Sequence, residues 1–387
     1  MIPLSYNFRS IFRRRVTAIA TALGLGLVVF VFAAVLMVGN GIIHTLKGGG
    51  SPDHAILLRK GATSELTSFV SRDAAKAFAA DPTVAQEGGK PVASPELFVI
   101  EQLKRIDGGG PANVGFRGFT LDGYNLLRKS EIKIVEGRLP QPGSSEVMLG
   151  RGTVGRYVGA SLGQTINKAR RKWPVVGVFE ADGASYESEI WGDADQIAQA
   201  MNRSPYSSMT VKLRSRSDLG QLKAVVDADP RYNLEAKRED IYYEENGAQL
   251  ANFIFTLGSV IAAFFAFGAT LGAMITMYAQ VAARVREIGT LRALGFRRHS
   301  VLVSFLIESL ILSFAGAIAG CLFATLLGRA SFTTVNFGNF TETKFQLYFT
   351  SSVAWSSSIF AVAMGLVGGI LPAIRAARLP IAEATKG

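Results

Sequence analysis

The chain has 387 residues, of which 49% are apolar and 18% are charged, and its mean hydropathy is +0.26. This composition excludes a disordered chain and makes membrane insertion the first question, while one cysteine and three histidines exclude a disulfide framework or a His/Cys metal site. Forty-one Lys and Arg against thirty Asp and Glu leave a net charge of +11, which could indicate an anionic membrane surface or a nucleic acid as partner.

The N-terminal segment predicts a short helix followed by a membrane span. Residues 1–15 are expected to form a cytoplasmic amphipathic helix, because arginines alternate with four apolar residues that share one helical face: Leu4, Phe8, Ile11 and Phe12. Residues 16–46 carry no charge and predict transmembrane helix 1. A cleaved secretory signal is the alternative, but its apolar core is usually only about 7 to 15 residues long.

Residues 47–245 are numerous enough for a folded domain. Two strand–helix–strand patterns frame a β-rich middle at 114–193. In the first, strands at 54–59 and 97–103 flank a helix at 71–80. In the second, strands at 209–214 and 232–236 flank a helix at 218–229. This order predicts an α+β extracytoplasmic domain with an inserted subdomain. A G-x-G-x-x-G match at 150–155 is interpreted as a turn, because no ribose-binding acid follows at the usual distance.

Three more apolar spans follow. Residues 246–283 carry no charge, and a helix of that length would extend about 57 Å, nearly twice the hydrocarbon thickness. We therefore expect a stalk that rises out of the bilayer and continues as transmembrane helix 2. Residues 301–328 and 353–374 predict transmembrane helices 3 and 4, joined by an extracytoplasmic loop at 329–352.

The excess positive charge follows this topology. Residues 1–15, 281–300 and 375–387 hold twelve basic and two acidic residues, so they account for +10 of the +11. Because positive loops mark the cytoplasmic side, both termini are expected in the cytoplasm, with 47–245 and 329–352 outside. The tail at 375–387 is then cytoplasmic, and a nucleic-acid partner is disfavoured.

Between helices 2 and 3, residues 284–298 predict a short amphipathic cytoplasmic helix. Its apolar stripe recurs every three residues, at Val285, Ile288, Leu291 and Leu294. Arginines and one acid remain available for charged contacts, with Glu287 and Arg292 on the exposed polar side. Such a helix could dock on a cytoplasmic partner, or it could simply turn the chain around.

Two features lie within the predicted spans. Glu308 is the one charged residue inside a span; it could relay protons, but a lone acid without a partner is interpreted as a packing or interface residue. Three GxxxG pairs predict close helix packing within the bundle or across a dimer, although glycine is also common in membrane helices: Gly268 with Gly272, Gly316 with Gly320, and Gly365 with Gly369.

Motifs for catalysis are absent from the 387 residues. The sequence contains no G-x-x-x-x-G-K-[ST] phosphate loop, no G-x-S-x-G elbow and no H-E-x-x-H helix. The chain is therefore expected to be non-catalytic and to bind no cofactor, with ATP and Mg²⁺ bound by a partner.

The loop sequence resembles a known family. Residues 286–298 (REIGTLRALGFRR), 305–310 (FLIESL) and 371–380 (LPAIRAARLP) are similar to the C-terminal block of MacB/FtsX-like, mechanotransmission-type permeases of ABC transporters. A looser likeness occurs in the outer domain at 137–140, 146–150 and 174–178.

The resemblance implies an integral membrane bundle of four transmembrane helices with a MacB-type periplasmic core domain between helices 1 and 2. It implies pairing with a second permease copy or a homologue, and two cytoplasmic ABC ATPase subunits. MacB carries its ATPase before helix 1, where only fifteen residues stand here, so a separate ATPase is expected. The resemblance assigns ATPase coupling to Arg284, Arg286, Glu287, Gly289, Leu291, Arg292, Leu294 and Gly295.

Three functions remain open for such a subunit of the inner membrane. The leading hypothesis is MacB-like export with a periplasmic adaptor and an outer-membrane channel. The alternatives are LolC-like lipoprotein extraction and FtsX-like activation of a cell-wall hydrolase. The sequence identifies neither the substrate nor whether the dimer pairs identical chains.

Overall fold

The computed structural model describes residues 15–203, 206–328, 330–335 and 340–379. The predicted amphipathic helix before Arg15 and the tail beyond residue 379 lie outside the described residues. The α-helices in the described part are α1 (Arg15–Lys47), α2 (Arg72–Ala79), α3 (Leu121–Leu126), α4 (Ala194–Met201), α5 (Leu219–Ala228), α6 (Glu239–Ala283), α7 (Val285–Ala293), α8 (Arg298–Leu327) and α9 (Ser351–Arg378).

The chain forms two compact units. The helical unit comprises residues up to 40, 253–330 and those from 347, and the α/β unit comprises 41–252 and 331–346. The strands are β1 (His54–Arg59), β2 (Gln86–Glu87), β3 (Lys90–Pro91), β4 (Ala93–Leu103), β5 (Ala112–Phe119), β6 (Lys133–Gly137), β7 (Val147–Gly150), β8 (Thr165–Lys168), β9 (Arg171–Glu180), β10 (Glu189–Asp193), β11 (Ser208–Lys212), β12 (Leu234–Arg238), β13 (Ser331–Val335) and β14 (Glu342–Gln346).

Four helices of the described chain are long and apolar enough to cross a membrane, namely α1, α6, α8 and α9. Helix α6 begins at Glu239, earlier than the predicted start at residue 246. The prediction followed the loss of charge along the sequence. Acidic residues are, however, favourable in the first turn of a helix, and Glu239 and Asp240 occupy that turn.

One ten-stranded sheet organises the α/β unit. Its order is β12-β1-β11-β4-β5-β10-β7-β9-β6, with β8 paired to β9. The pairs β5–β10 and β7–β9 are parallel, and the other pairs along this path are antiparallel. The predicted inserted subdomain therefore continues the same sheet, because the eleven-residue β4 pairs with β11 on one side and with β5 on the other. The G-x-G-x-x-G match follows β7 as a turn, as expected.

The predicted loop at 329–352 contains a β-hairpin. Strands β13 and β14 pair antiparallel, and both belong to the α/β unit. The segment predicted as an extracytoplasmic loop therefore contains regular secondary structure that the sequence did not indicate. Its short polar strands lack the apolar runs that mark a strand in sequence, and only Phe345 and the residues at 341–343 of the described hairpin are clearly buried.

Candidate functional site

The predicted coupling helix is α7, a nine-residue helix. Arg284 separates it from α6 with a non-helical backbone (φ −117°, ψ 16°). Helix α7 ends at Leu294, and Gly295 follows with φ +95°, a conformation that glycine adopts without steric penalty. The loop helix is thus shorter than the predicted 284–298, because the chain leaves the helical conformation before Gly295 and the next helix begins at Arg298.

Arg284 is buried and bonded to the acid of the third predicted span. Its Nη1 donates to Oε2 of Glu308 at 2.9 Å, and its Nε donates to Oε2 of Glu287 at 3.2 Å. The side chains of Arg284 and Glu308 are each 5% exposed. Glu308, interpreted from the sequence as a lone acid, therefore has a partner, and Arg284, expected to remain available for charged contacts, is buried. The two residues lie 24 positions apart, and helix packing, not sequence spacing, brings them together.

Arg292 contacts the end of α9. Its Nη1 donates to the backbone carbonyls of Leu379 at 2.8 Å and Ala377 at 3.5 Å, where helix carbonyls lack intrahelical partners. Arg292 was expected on the exposed polar side, and this contact corrects that expectation. Ile288 is 2% exposed and packs among side chains of α6, α8 and α9, namely Met277, Val281, Val301, Phe305, Ala373 and Ala376.

The outward surface of α7 is smaller than predicted. Gly289 is buried and Leu291 is half-buried, whereas Leu294 is 73% exposed. The residues of the predicted apolar stripe therefore do not share one environment, because Ile288 is buried and Leu294 is exposed to solvent. We call the exposed surface the loop-helix face, and it consists of Arg286, Glu287, Thr290, Leu294 and Gly295.

Two of the three GxxxG pairs lie where helices approach closely. A Cβ on Gly320 would stand 2.6 Å from the carbonyl oxygen of Gly26 in α1, and Gly316 meets the same helix at Ala22. Gly365 and Gly369 in α9 lie against Ser313 and Ser309 in α8. By contrast, a Cβ on Gly268 or Gly272 would meet no atom within 4 Å in the described chain, so this pair packs no helix there.

The α/β unit contains a buried charged cluster that was not among the sites predicted from the sequence. Arg117 is 1% exposed and lies within 2.7–2.9 Å of carboxylate oxygens of Glu65, Glu96 and Glu189. Its guanidinium carbon also lies 5.1 Å from the ring centroid of Tyr186. A buried arginine requires such paired acceptors, because an uncompensated charge in a protein interior is strongly destabilising.

Arg128 extends the cluster. It is fully buried and lies within 2.8–2.9 Å of carboxylate oxygens of Glu96, Glu131 and Glu239. Burial opposes ionisation of Glu96, but Arg128 and Arg117 outweigh it and lower the pKa of this carboxyl. Together with His54, these groups form what we call the charged core: His54, Glu65, Glu96, Arg117, Arg128, Glu131, Glu189 and Glu239.

His54 completes the charged core. Its Nδ1 lies 2.9 Å from Oε2 of Glu239 and 3.3 Å from Oε1 of Glu131. Burial opposes protonation of the imidazole, but the hydrogen bonds with Glu131 and Glu239 outweigh it and raise the pKa of His54 to about 9. The three ligand atoms are close enough to hold a metal ion. However, Arg128 already contacts both carboxylates, so the arrangement suits an imidazolium better than a divalent cation.

The charged core holds the first turns of α6. Glu239 is the first residue of that helix, is fully buried, and also accepts from the Ser51 backbone N–H at 3.2 Å. One turn later, the Tyr242 hydroxyl accepts from the Glu65 N–H at 3.0 Å, and the Tyr243 hydroxyl lies 3.0 Å from that of Tyr186.

The hairpin β13–β14 is held by a second buried acid. Glu342 is 7% exposed and pairs with Arg105. It also accepts from Arg156 at 3.1 Å and from the Tyr157 hydroxyl at 3.2 Å. The Lys344 N–H donates to the Ser188 hydroxyl at 3.0 Å.

A sequence signal for the charged core does exist. Glu96 and Arg117 each stand among apolar neighbours within a strand. A charge in such a run is costly to bury unless it is paired, so these positions indicate a buried partner. The identity of the partner depends on strand register and could not be read from the sequence.

Two family models match the chain. The model described as FtsX-like permease C-terminal matches residues 259–381, and the MacB-like periplasmic core domain model matches residues 17–229. The second match covers more than half of the chain, and it confirms the resemblance found in the sequence.

Similar proteins include two exporters with curated names. The pyoverdine export ATP-binding/permease protein PvdT of Pseudomonas syringae pv. tomato is 30% identical over 244 residues, covering 58% of this chain and 35% of that protein. The macrolide export ATP-binding/permease protein MacB of Hyphomonas neptunium is 30% identical over 263 residues, covering 61% and 37%. The matched part of this chain thus spans about a third of the length of these relatives.

A solved structure is also similar, the extracellular domain of the noncanonic ABC-type transporter YknZ from Gram-positive bacteria. It has a TM-score of 0.36 and 12% identity, and the match covers 48% of this chain and 99% of that domain. With a MacB-like core domain and an FtsX-like C-terminal region on one polypeptide, the chain belongs to the MacB/FtsX-like permeases of ABC transporters.

Proposed function

We propose that this chain is a permease subunit that transmits ATP-driven motion of a cytoplasmic ATPase to its periplasmic α/β unit and thereby drives export with a periplasmic adaptor. One observation carries the proposal: α6 is a single 45-residue helix that starts in the charged core and ends beside the loop helix. Such a helix extends about 68 Å, more than twice the hydrocarbon thickness.

The N-terminal end of α6 is held firmly in the α/β unit. Glu239 has no exposed surface, and Arg128 and His54 both bond it. Removing one partner from a buried ion pair typically destabilises a protein by about 3–5 kcal/mol. The first turn of α6 therefore moves with the α/β unit and does not slide past it.

The C-terminal end of α6 and the loop helix that follows it contact α8 and α9. Arg284 bonds Glu308 of α8, Arg292 bonds carbonyls at the end of α9, and Ile288 packs against α6, α8 and α9. A push on the loop-helix face therefore acts on three predicted spans together. The hairpin offers a second route for the motion. Helix α8 is followed by β13, and β14 is followed by α9. Glu342 fixes β14 in the α/β unit through its ion pair with Arg156.

The proposed partners follow from this mechanism. We assign ATP and Mg²⁺ to two ABC ATPase subunits outside these 387 residues, and we assign a second permease copy or homologue to the dimer. The relatives support an ATPase partner, since their names describe ATP-binding/permease proteins. An adaptor and an outer-membrane channel complete the proposed exporter. The distribution of basic residues supports an inner-membrane location with cytoplasmic termini.

The test is capture of the full chain from its native membrane in lipid nanodiscs. We expect an ATP-hydrolysing subunit to be captured with it. The variants Arg286→Glu and Leu294→Asp should reduce the amount captured or the hydrolysis rate per ATPase, because both side chains lie on the loop-helix face. Lys223→Glu, an exposed position on α5, is the matched control.

Absence of any ATP-hydrolysing partner, or full stimulation in both loop-face variants, would refute the proposal. The periplasmic protein captured at the same time identifies the branch of the family. An adaptor supports export, whereas a lipoprotein or a cell-wall hydrolase would redirect the assignment to one of the two alternatives.

A further inference from the structure

A cleft of about 670 Å³ opens in the α/β unit between α2 and α3, over strands β4 and β11. Its volume falls within the range of about 300–1,000 Å³ that small-molecule sites occupy. The two helices that border it are fixed by their N-caps. The Ser71 hydroxyl accepts from the Ala74 N–H at 3.1 Å, and the Thr120 hydroxyl accepts from the Gly123 N–H at 3.2 Å.

The lining of the cleft is largely apolar and rigid. Pro91, Pro95 and Pro142 contribute three side chains of fixed shape, and Leu121 and Leu126 form the wall on α3. Leu121 is 40% exposed at this position. An apolar wall with few polar groups is the usual composition of a site for a small organic molecule.

The charged groups of the cleft are mostly basic. Arg72, Lys76 and Lys90 line it, against Asp122 as the one acid of the lining. Lys90 Nζ lies 3.0 Å from Asp122, and both side chains are more than half exposed, so this pair is weak and can exchange partners. Arg72 pairs with Asp195, also at an exposed position. The side-chain ammonium of Lys76 has no hydrogen-bond or ion-pair partner within the described chain.

Tyr206 adds an unused donor. The residue is 9% exposed and lines the cleft, yet its hydroxyl bonds to no other residue of the described ranges. Burial raises the pKa of Tyr206, so the hydroxyl stays protonated and can donate. The Arg72 guanidinium carbon lies over the Tyr206 ring, 5.8 Å from its centroid, which adds a positive charge to this side of the cleft.

We propose that this cleft binds a small organic acid with an apolar body. Lys76 and the Tyr206 hydroxyl receive the acid group, and Pro95, Leu121 and Leu126 receive the apolar part. The excess of basic over acidic lining groups selects an anion over a cation, and the apolar wall selects an amphipathic molecule over an inorganic anion. Binding of the acid does not require an ATPase. The further statement that the bound acid is an exported substrate rests on the proposed export function.

The test uses 2-naphthoate as the probe and the full chain in lipid nanodiscs, with empty nanodiscs to subtract partition into lipid. Binding is measured by saturation-transfer NMR and calorimetry. For a ligand of this size we expect a dissociation constant of about 1 mM or tighter. The neutral analogue 2-naphthamide separates recognition of the acid from burial of the rings.

Lys76→Gln and Tyr206→Phe should each weaken naphthoate binding by roughly three- to tenfold and leave naphthamide binding unchanged, because each variant removes one hydrogen bond to the acid group. Lys223→Gln removes an exposed lysine of the same unit and should change neither. Absence of saturable naphthoate binding would overturn the proposal, as would equal affinity in all variants or equal affinity for the two probes. These outcomes are independent of ATPase capture, so failure here leaves the proposed export function intact.

Discussion

Protonation of His54 should control the stability of the α/β unit in alkaline solution. His54 is 6% exposed, and its ring lies between Glu239 and Glu131. The hydrogen bonds to these carboxylates overcome burial and raise the pKa from 6.5 to about 9 in the folded chain. Raising the pH therefore deprotonates the His54 imidazolium and removes the positive charge that both carboxylates contact.

The magnitude follows from the linkage between protonation and folding. A histidine with a raised folded-state pKa contributes its full stabilisation below the unfolded pKa of 6.5 and loses it as the pH rises through about 9. Each pKa unit corresponds to 1.36 kcal/mol, so the free energy of unfolding should fall by about 3 kcal/mol between these limits. Glu239 would then retain Arg128 but lose one of its two cationic partners.

Tryptophan fluorescence can follow this loss during denaturant unfolding of the full chain in nanodiscs. Trp173 and Trp191 are fully buried in the α/β unit, and Trp191 Nε1 donates to Glu189 of the charged core at 2.9 Å. Trp355 in α9 is 71% exposed and is replaced by Phe to isolate that signal. The His54→Gln variant should lack the fall between pH 6.5 and 9. Parallel pH profiles of the two proteins would refute the reasoning.

Three further outcomes are expected. Glu308→Gln should destabilise the helical unit by about 3 kcal/mol, because it removes the carboxylate from a buried ion pair and leaves Arg284 only its longer bond to Glu287 among carboxylates. Thermal unfolding measures this loss, and a wild-type value would contradict it. Glu342→Gln should raise hydrogen exchange in β13 and β14 while the rest of the α/β sheet stays protected, and unchanged exchange would exclude an ionic lock on the hairpin. Gly320→Ala should destabilise the subunit by about 1–3 kcal/mol in thermal unfolding, because its Cβ would stand 2.6 Å from a backbone oxygen. Gly268→Ala is the control and should change the stability by no more than about 1 kcal/mol, because its Cβ meets no atom within 4 Å. Equal effects of the two substitutions would exclude the close approach at Gly320.

The parts of the fold that depend on local composition could be predicted from the sequence. The apolar stretches correspond to α1, α6, α8 and α9, and the helix between the second and third lies where the amphipathic stripe indicated. These predictions succeed because hydrophobic length and helical periodicity are properties of neighbouring residues. The start of α6 was placed too late, since acidic residues at a helix N-terminus look like the end of a span.

The contacts of the candidate sites depend on tertiary structure and could not be predicted. Arg117 and Glu189 lie 72 positions apart, and the parallel pairing of β5 with β10 places them on neighbouring strands. Likewise, Arg284 and Glu308 meet only because α8 packs beside the lower end of α6. The sequence could indicate that such charges need partners, but only the register of strands and helices selects which ones.

The polypeptide passes between the helical unit and the α/β unit four times, near residues 40, 252, 330 and 346. Neither unit is therefore one continuous stretch of sequence. A fragment cut at residues 41 and 252 would lack strands β13 and β14, and with them the Glu342 carboxylate that bonds Arg156 and the Tyr157 hydroxyl.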